Sequence, residues 1–196
     1  MNKKLTLIAI LIVAVNILSV FSKENETVLK APDNWISEII PFPLGFAREI
    51  EFVGYEDIRF APRWADSSSQ EFWTYTFVWY VDTGPAMSVS KLTQIYNSYY
   101  DGLMGVNDNN QTTNKNAVKL NKTISKFVKV AGGFSGTVTV YDRFFSKDYM
   151  TLNVKIKESF CPKMKKQIIL NDLSPKDFDD EVWKLFDDVK VNVKCY

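Results

Sequence analysis

The sequence predicts a single α+β domain, in which an antiparallel sheet of six or seven strands carries two main helices. Three patterns predict this class. Residues 71–81 alternate around a row of aromatic side chains, and residues 118–170 contain several runs that alternate apolar with polar residues. Residues 90–104 and 174–189 instead repeat apolar residues at three- and four-residue intervals, which is typical of amphipathic helices.

The aromatic run at residues 71–81 is the predicted centre of the core. Successive side chains of a strand point to opposite faces. One face of this run therefore carries Trp73, Tyr75, Phe77, Trp79 and Val81. Each buried aromatic side chain removes about 150–250 Å² from water, so we expect the rest of the domain to pack over this face.

Residues 1–22 have the pattern of a secretory signal peptide. Lys3 and Lys4 precede an apolar run, and Val20 and Ser22 fit the two small-residue positions before a cleavage site. The alternative is an uncleaved anchor, because about 17 residues can just cross a bilayer. In either case we expect the rest of the chain to be secreted or to lie in the periplasm or cell envelope, with no stable membrane span after cleavage.

The residues after the leader predict a spacer and then short extended elements. Residues 23–33 are polar and are predicted to be a flexible spacer, so the globular domain is expected to span residues 34–196. Residues 41–46 contain alternating prolines, which favour an extended arm. Residues 49–53 and 56–60 each alternate charged with apolar residues and predict two short strands.

The second half of the chain predicts an antiparallel meander followed by a helix. An asparagine-rich stretch at residues 106–116 is expected to be an exposed loop. Ser174 is a suitable cap for the last helix, and Pro175 fits its first turn. The alternating runs predict strands at residues 118–130, 134–140, 150–156 and 165–170.

Cysteine and histidine usage limits the chemistry. Cys161 and Cys195 are the two cysteines and both follow the leader, so we expect a disulfide; the alternative is two unpaired thiols. The chain has no histidine, which excludes a Ser-His-Asp triad and a histidine-ligated zinc site. We therefore predict no metal and no cofactor.

The charge balance argues against nucleic acid as a partner. Removal of residues 1–22 also removes Lys3 and Lys4, which leaves 22 basic and 23 acidic residues. Binding to nucleic acid depends on neutralising phosphates, and a nearly neutral domain is poorly suited to that.

Carboxylates are the remaining candidates for catalysis. Glu56, Asp57, Asp66 and Glu71 cluster in sequence around the aromatic run. Glycosidases use a pair of such groups on either side of the sugar ring. The alternative interpretation is that all four are solvated acids with no catalytic role.

Aromatic side chains suggest a ligand site instead. Trp64 lies in a predicted loop and has no place in a regular apolar face. With Arg63, Tyr99 and Tyr100 it is a candidate for the rim of a site that stacks on a sugar or another flat ligand. The alternative is that Trp64 folds back over the edge of the sheet.

Residues 55–64, which read YEDIRFAPRW, and residues 72–75, which read FWTY, resemble a segment found in uncharacterised exported bacterial proteins. The resemblance implies a cell-envelope setting and no particular activity. Our leading hypothesis is a non-catalytic binding protein whose partner is an envelope protein or a glycan. The alternatives are a carboxylate-dependent hydrolase of glycans or another envelope polymer, and a structural subunit of a larger assembly.

Overall fold

The computed structural model of the protein describes residues 27–82, 84, 86–106 and 120–195. The predicted signal peptide and residues 23–26 therefore lie outside the described residues. The elements in chain order are β1 Leu29–Lys30, β2 Ile36–Pro41, β3 Gly54–Phe60, β4 Tyr75–Asp82, α1 Val89–Leu103, β5 Ile124–Val130, β6 Gly133–Tyr141, β7 Tyr149–Cys161, β8 Lys166–Ser174, a 3-10 helix Glu181–Asp188, and β9 Lys190–Val191.

Seven of these strands form one antiparallel sheet in the order β2-β3-β4-β8-β7-β6-β5. Strands β1 and β9 form a separate two-stranded sheet. The predicted antiparallel α+β fold is confirmed. The order places β4 and β8 side by side near the middle of the sheet, because α1 carries the chain from β4 to the far edge at β5.

Strand β4 is buried on both faces. Trp73, Tyr75, Phe77 and Trp79 are all buried, as predicted. On the opposite face Thr76, Val78 and Tyr80 are buried as well, so neither face of β4 meets solvent. The predicted strand is too long at its start, because Trp73 has a φ of 53° and lies in a turn before β4.

Helix α1 covers the aromatic face of β4 and agrees closely with the predicted helix at residues 90–104. Ser88 caps it by accepting a hydrogen bond from the Lys91 amide at 3.2 Å. Tyr99 stacks on Phe77 with ring centroids 5.8 Å apart. Among the described residues, no helix is long and apolar enough to cross a membrane.

The second predicted helix, at residues 174–189, is wrong in its bounds and type. Strand β8 continues through Ser174, which pairs with Asn153 of β7. The helix that follows is the shorter 3-10 helix Glu181–Asp188, and Asp180 caps it by accepting from the Val182 amide at 2.9 Å. The backbone of β8 is paired with β7 as far as Ser174. A helix that started at Ser174 would have to give up this pairing. The 3-10 helix contributes Val182, Trp183 and Phe186 to the core on the second face of the sheet.

The segment before β4 also differs from the prediction. Residues 49–53 do not form a strand, and the unpredicted β2 pairs with β3 as an edge strand. The predicted strand at residues 56–60 is present within β3.

Gly54 starts β3 with a φ of 145°, and a side chain there would overlap the Tyr80 carbonyl. In the predicted arm, Phe42 and Leu44 pack against the core.

The described part of the predicted spacer is packed against the domain. Val28 and Leu29 are buried, so ordered structure begins before residue 34. Asp57 accepts hydrogen bonds from the Val28 amide at 2.7 Å and the Leu29 amide at 2.9 Å. Arg59 pairs with Asp57 and also donates to the Leu29 carbonyl at 2.7 Å. This buried ion pair fixes the N-terminal segment to β3.

Two predictions fall partly on residues 107–119, which the structure does not describe. Most of the asparagine-rich loop predicted at residues 106–116 lies outside the described residues. The strand predicted from residue 118 begins at Ile124, as β5. Residues 118 and 119 are outside the description as well, and residues 120–123 are not part of a strand.

The predicted disulfide between Cys161 and Cys195 is confirmed, with the two Cα atoms 4.8 Å apart. It joins the end of β7 to the C-terminal segment. Cys161 is fully buried in the second face of the core, in the same apolar cluster as Leu29 of β1 and Val189. The covalent link thus holds the last residues of the chain against the sheet.

Replacing both cysteines by serine should lower the free energy of unfolding by about 3–4 kcal/mol, because the disulfide closes a loop of 34 residues in the unfolded chain. Urea denaturation of both proteins measures this difference. A reductant should destabilise the wild type alone. Equal midpoints for the two proteins under oxidising conditions would contradict a stabilising bond.

Candidate ligand-binding site

An apolar cavity of about 720 Å³ opens on the α1 side of the sheet. It lies between β2, β3, the last turn of α1 and the turn that joins β6 to β7. Glu38 is the charged side chain among its lining residues. Most of the wall is aromatic, and its rings belong to Phe46, Phe60, Trp64, Trp73, Tyr75, Tyr99, Phe144 and Phe145.

Trp64 is the centre of the aromatic wall. Its ring stacks on Phe60 with centroids 4.4 Å apart, and it meets Phe145 edge-on at 5.3 Å and Trp73 edge-on at 6.0 Å. The backbone fixes this position, because the Trp64 carbonyl accepts a hydrogen bond from the Trp73 amide at 2.8 Å. The turn before β4, with its left-handed Trp73, thus brings two indoles together at the cavity.

A buried carboxylate holds the turn that supplies Phe144 and Phe145. Asp142 accepts hydrogen bonds from the amides of Phe144 at 2.9 Å, Phe145 at 3.0 Å and Ser146 at 2.7 Å. Burial raises the pKa of Asp142, but the hydrogen bonds from Ser146, Phe145 and Phe144 together outweigh it and leave the pKa below its usual value. The ionised carboxylate therefore keeps this aromatic turn in one shape.

Behind the wall, Glu56 ties three elements together. Its side chain is fully buried and accepts from the Tyr99 hydroxyl at 2.9 Å and from the Trp79 indole at 2.6 Å. These bonds link β3 to α1 and to β4. Burial raises the pKa of Glu56 to about 7, against the two hydrogen bonds and with a smaller contribution from the charge of Glu38.

The tyrosine hydroxyls near the cavity also form hydrogen bonds to other side chains of the protein. Tyr75 and Tyr100 share a hydrogen bond between their hydroxyls, and Tyr96 donates to Asn171 at 2.8 Å. Burial raises the pKa of Tyr75, so its hydroxyl stays protonated at ordinary pH. The tyrosine hydroxyls of the wall are therefore already hydrogen-bonded to other side chains of the protein, and these bonds make the wall rigid.

One buried polar group close to the cavity has no hydrogen-bond partner. Within the described part of the chain, Nε1 of Trp73 is the one buried side-chain nitrogen or oxygen that has no hydrogen-bond partner. Trp73 is only 2% exposed, so water does not reach its side chain freely. A buried donor without an acceptor is rare in proteins and needs an explanation.

Of the four residues predicted to bind a ligand, two line the cavity and two do not. Trp64 and Tyr99 line the cavity together. Tyr100 is buried behind the wall, where it bonds to Tyr75. Arg63 is exposed and pairs with Asp66 at 2.7 Å, outside the lining of the cavity.

Trp64 and Tyr99 are the lining residues that the sequence predicts for the site, and the rest of the lining is missed. Among the missed aromatic residues, Trp73 falls in the predicted core strand, and Phe144 and Phe145 fall in no predicted element. Two adjacent aromatic residues between Asp142 and Lys147, outside any alternating run, were a signal that could have identified this turn.

The four candidate catalytic acids do not form a pair at the cavity, although Asp66 and Glu71 share Arg63 as a partner. Glu56 and Asp57 are neighbours on β3, so their side chains point to opposite faces of the sheet. Hydrogen bonds from Ser68 and Arg63 lower the pKa of Asp66 to about 2. Glu71 accepts from the Arg63 amide at 2.8 Å. Asp57, Asp66 and Glu71 therefore stabilise local structure, and none of the four lines the cavity.

Two other concave surfaces differ in chemistry from the aromatic cavity. A groove of about 720 Å³ beside α1 is lined by side chains of both charges, including Glu49, Lys91 and Asp101. A larger hollow of about 960 Å³ near β1 carries Lys163 and Lys194 on an apolar floor. Among the residues that the structure describes, neither surface contains a buried side-chain nitrogen or oxygen that lacks a hydrogen-bond partner.

Comparison with protein-family models, with curated proteins and with solved structures found no match to the chain. The resemblance of residues 55–64 to exported bacterial proteins therefore stays a prediction. Over the described ranges, no group of three or more cysteine, aspartate or glutamate side chains is placed to hold a metal ion.

Replacing Glu56 with Gln should make stability less sensitive to pH. The pKa of Glu56 rises from an ordinary value of 4.5 to about 7 in the folded protein, so the native state binds a proton more tightly than the unfolded state. The wild type should lose about 3 kcal/mol relative to the variant as the pH rises from about 4.5 to about 7. Urea denaturation at a series of pH values measures this difference, and a constant difference between the two proteins would show that Glu56 is not perturbed.

Proposed function

We propose that this protein is an exported, non-catalytic binding protein that holds a small, mostly apolar molecule in the aromatic cavity. The observation that carries the proposal is the cavity itself. Ligand sites are concave, mostly apolar and roughly 300–1,000 Å³ in volume. This open cavity of about 720 Å³ is in that range, and its lining is mostly apolar and aromatic.

The composition of the wall favours an apolar ligand over a glycan. A sugar carries a hydroxyl on nearly every carbon, and each buried hydroxyl without a partner costs free energy. The hydroxyls of Tyr75 and Tyr99 are already bonded to Tyr100 and Glu56. Rings and aliphatic side chains supply most of the remaining surface, which suits a flat apolar molecule.

An extracytoplasmic setting is part of the same proposal. The sequence predicts a leader at residues 1–22, and a bond between Cys161 and Cys195 is compatible with an oxidising compartment.

The hydrolase remains a second candidate because of Glu56. A carboxyl group with a pKa of about 7 is in the range that suits a general acid near neutral pH. Glu38 lies diagonally across from it, since Glu38 pairs with Ile58 and Ile40 pairs with Glu56. Glu56 is fully buried and bonded to Trp79 and Tyr99, so catalysis would require Tyr99 to move away.

The two candidates predict different results with Glu56→Gln. The binding proposal expects this variant to retain affinity for an apolar probe, and it expects neither protein to release product from chromogenic glycosides. Hydrolysis by the wild type that the variant lacks would favour the hydrolase and count against a non-catalytic role.

Truncating Trp64 should weaken binding of a neutral apolar probe such as N-phenylnaphthylamine by about tenfold or more, because the probe loses its largest stacking partner. Fluorescence titration of the wild type and Trp64→Ala measures the change. Phe178→Ala is the matched control, since Phe178 is exposed and packs on Trp183 in the second face of the sheet.

The control should bind the probe as the wild type does. Equal affinities for the wild type and Trp64→Ala, with both proteins folded, would place the probe elsewhere. No binding by the wild type at probe concentrations near its solubility limit would contradict the proposed function.

A further inference from the structure

We infer that the hollow near β1 is a second ligand site, which binds an amphiphilic anion: a molecule with one negatively charged group and one apolar chain. This hollow of about 960 Å³ lies against the core of the second face of the sheet, whereas the aromatic cavity opens on the α1 side. The inference is therefore independent of the function proposed for the aromatic cavity. The charge of the hollow, the bond that assembles it and its apolar lining all point to this class of ligand.

The charge of the hollow suits an anion. Lys163 and Lys194 line it, both are exposed, and no acidic side chain belongs to its lining among the residues that the structure describes. Within the same part of the chain, neither ammonium group has a carboxylate at ion-pair distance, whereas the nearby Lys166 pairs with Asp82. Two positive charges on one concave surface attract a negative group, which would also offset the repulsion between them.

The disulfide brings the two lysines together. They are distant in sequence, but Lys163 lies two residues after Cys161, and Lys194 directly precedes Cys195. The bond between the two cysteines holds their Cα atoms 4.8 Å apart. The covalent link that fixes the C-terminal segment therefore also places both cations at the same hollow.

The rest of the lining suits an apolar chain. The apolar and aromatic side chains that line the hollow include Val28, Tyr55, Tyr80, Met164 and Val193. Met164 is 50% exposed and Val193 is half-buried, so this lining leaves apolar surface in contact with water. A chain that covers this surface removes its own methylene groups and the side chains from water together, and each buried methylene group adds to the affinity.

The shape of the hollow favours a single molecule over the surface of a membrane. Val28, Tyr55 and Tyr80 line the hollow but are only 5%, 9% and 6% exposed, so their remaining accessible surface lies at its floor. The flat surface of a bilayer would meet the exposed Met164 and the two lysines and would not reach this floor. One extended chain can lie in the hollow with its charged group between the lysines.

The test uses two probes with the same chain length, decanoate and decanol, because decanoate alone is charged at neutral pH. Calorimetric titration of the wild type and of Lys163→Gln/Lys194→Gln, below the concentration at which decanoate forms micelles, gives four dissociation constants. The double variant should bind decanoate about three- to tenfold more weakly and decanol as the wild type does, as expected for the loss of two exposed ion pairs. Lys126→Gln/Lys129→Gln is the matched control. It removes the same charge from exposed lysines of β5, at one edge of the sheet, and should change neither affinity.

Measurements on the wild type keep the inference testable if the double variant does not fold. Decanoate should bind more weakly as the salt concentration rises, because salt screens exposed charges, and decanol should not. Acetate should show no binding, because it carries the charge without the chain. Trp64→Ala should bind decanoate as the wild type does, so a failure of the aromatic cavity leaves this inference standing.

Four results would overturn the inference. They are the absence of decanoate binding by the wild type, equal weakening of decanoate by the two double variants, a decanoate affinity that does not change with salt, and acetate bound as tightly as decanoate. Vesicles of phosphatidylglycerol provide the last comparison. If the wild type binds them and not decanoate, the lysines belong to a surface that docks on membranes, and the hollow is not a site for a single amphiphile.

Discussion

The fold depends on covering both faces of one strand. Every residue of β4 from Tyr75 to Val81 is buried, so apolar side chains must approach it from two sides. Helix α1 covers one face, and the 3-10 helix covers the other together with the segment around β1. The buried pair of Asp57 and Arg59 fastens the segment around β1, and the disulfide Cys161–Cys195 fastens the segment after β9; both segments complete the second face.

The cavity is a consequence of how the first face is covered. Helix α1 ends at Leu103, and beyond it the aromatic surface is bounded by the turns that hold Trp64 and Phe145. Hydrogen bonds fix each boundary: the Tyr99 hydroxyl of α1 donates to Glu56, and the Phe145 amide in the turn after β6 donates to Asp142. Because these bonds hold the rings in place, the rings do not collapse into the space and the cavity stays open.

The sequence predicted the parts of the fold whose pattern is local. The alternation in β4 and the helical spacing in α1 both reflect which face is buried, so each was recognised. Strand β2 was missed because it is an edge strand with Ile36 exposed and no alternating burial. The helix predicted at residues 174–189 failed because pairing with β7 keeps Ser174 in a strand. In the site, the position of Trp64 in a loop marked it as a candidate. The placement of Phe145 and Trp73 at the cavity depends on contacts between segments that are distant in sequence, so no local pattern predicts it.

A crystal structure of the protein soaked with bromonaphthalene tests the central claim most directly, because anomalous scattering locates the bromine without ambiguity. We predict one dominant bromine position inside the cavity, in contact with the ring of Trp64. Bromine bound only in the hollow near β1 or in the groove beside α1, or no bound bromine at saturating concentration, would contradict it.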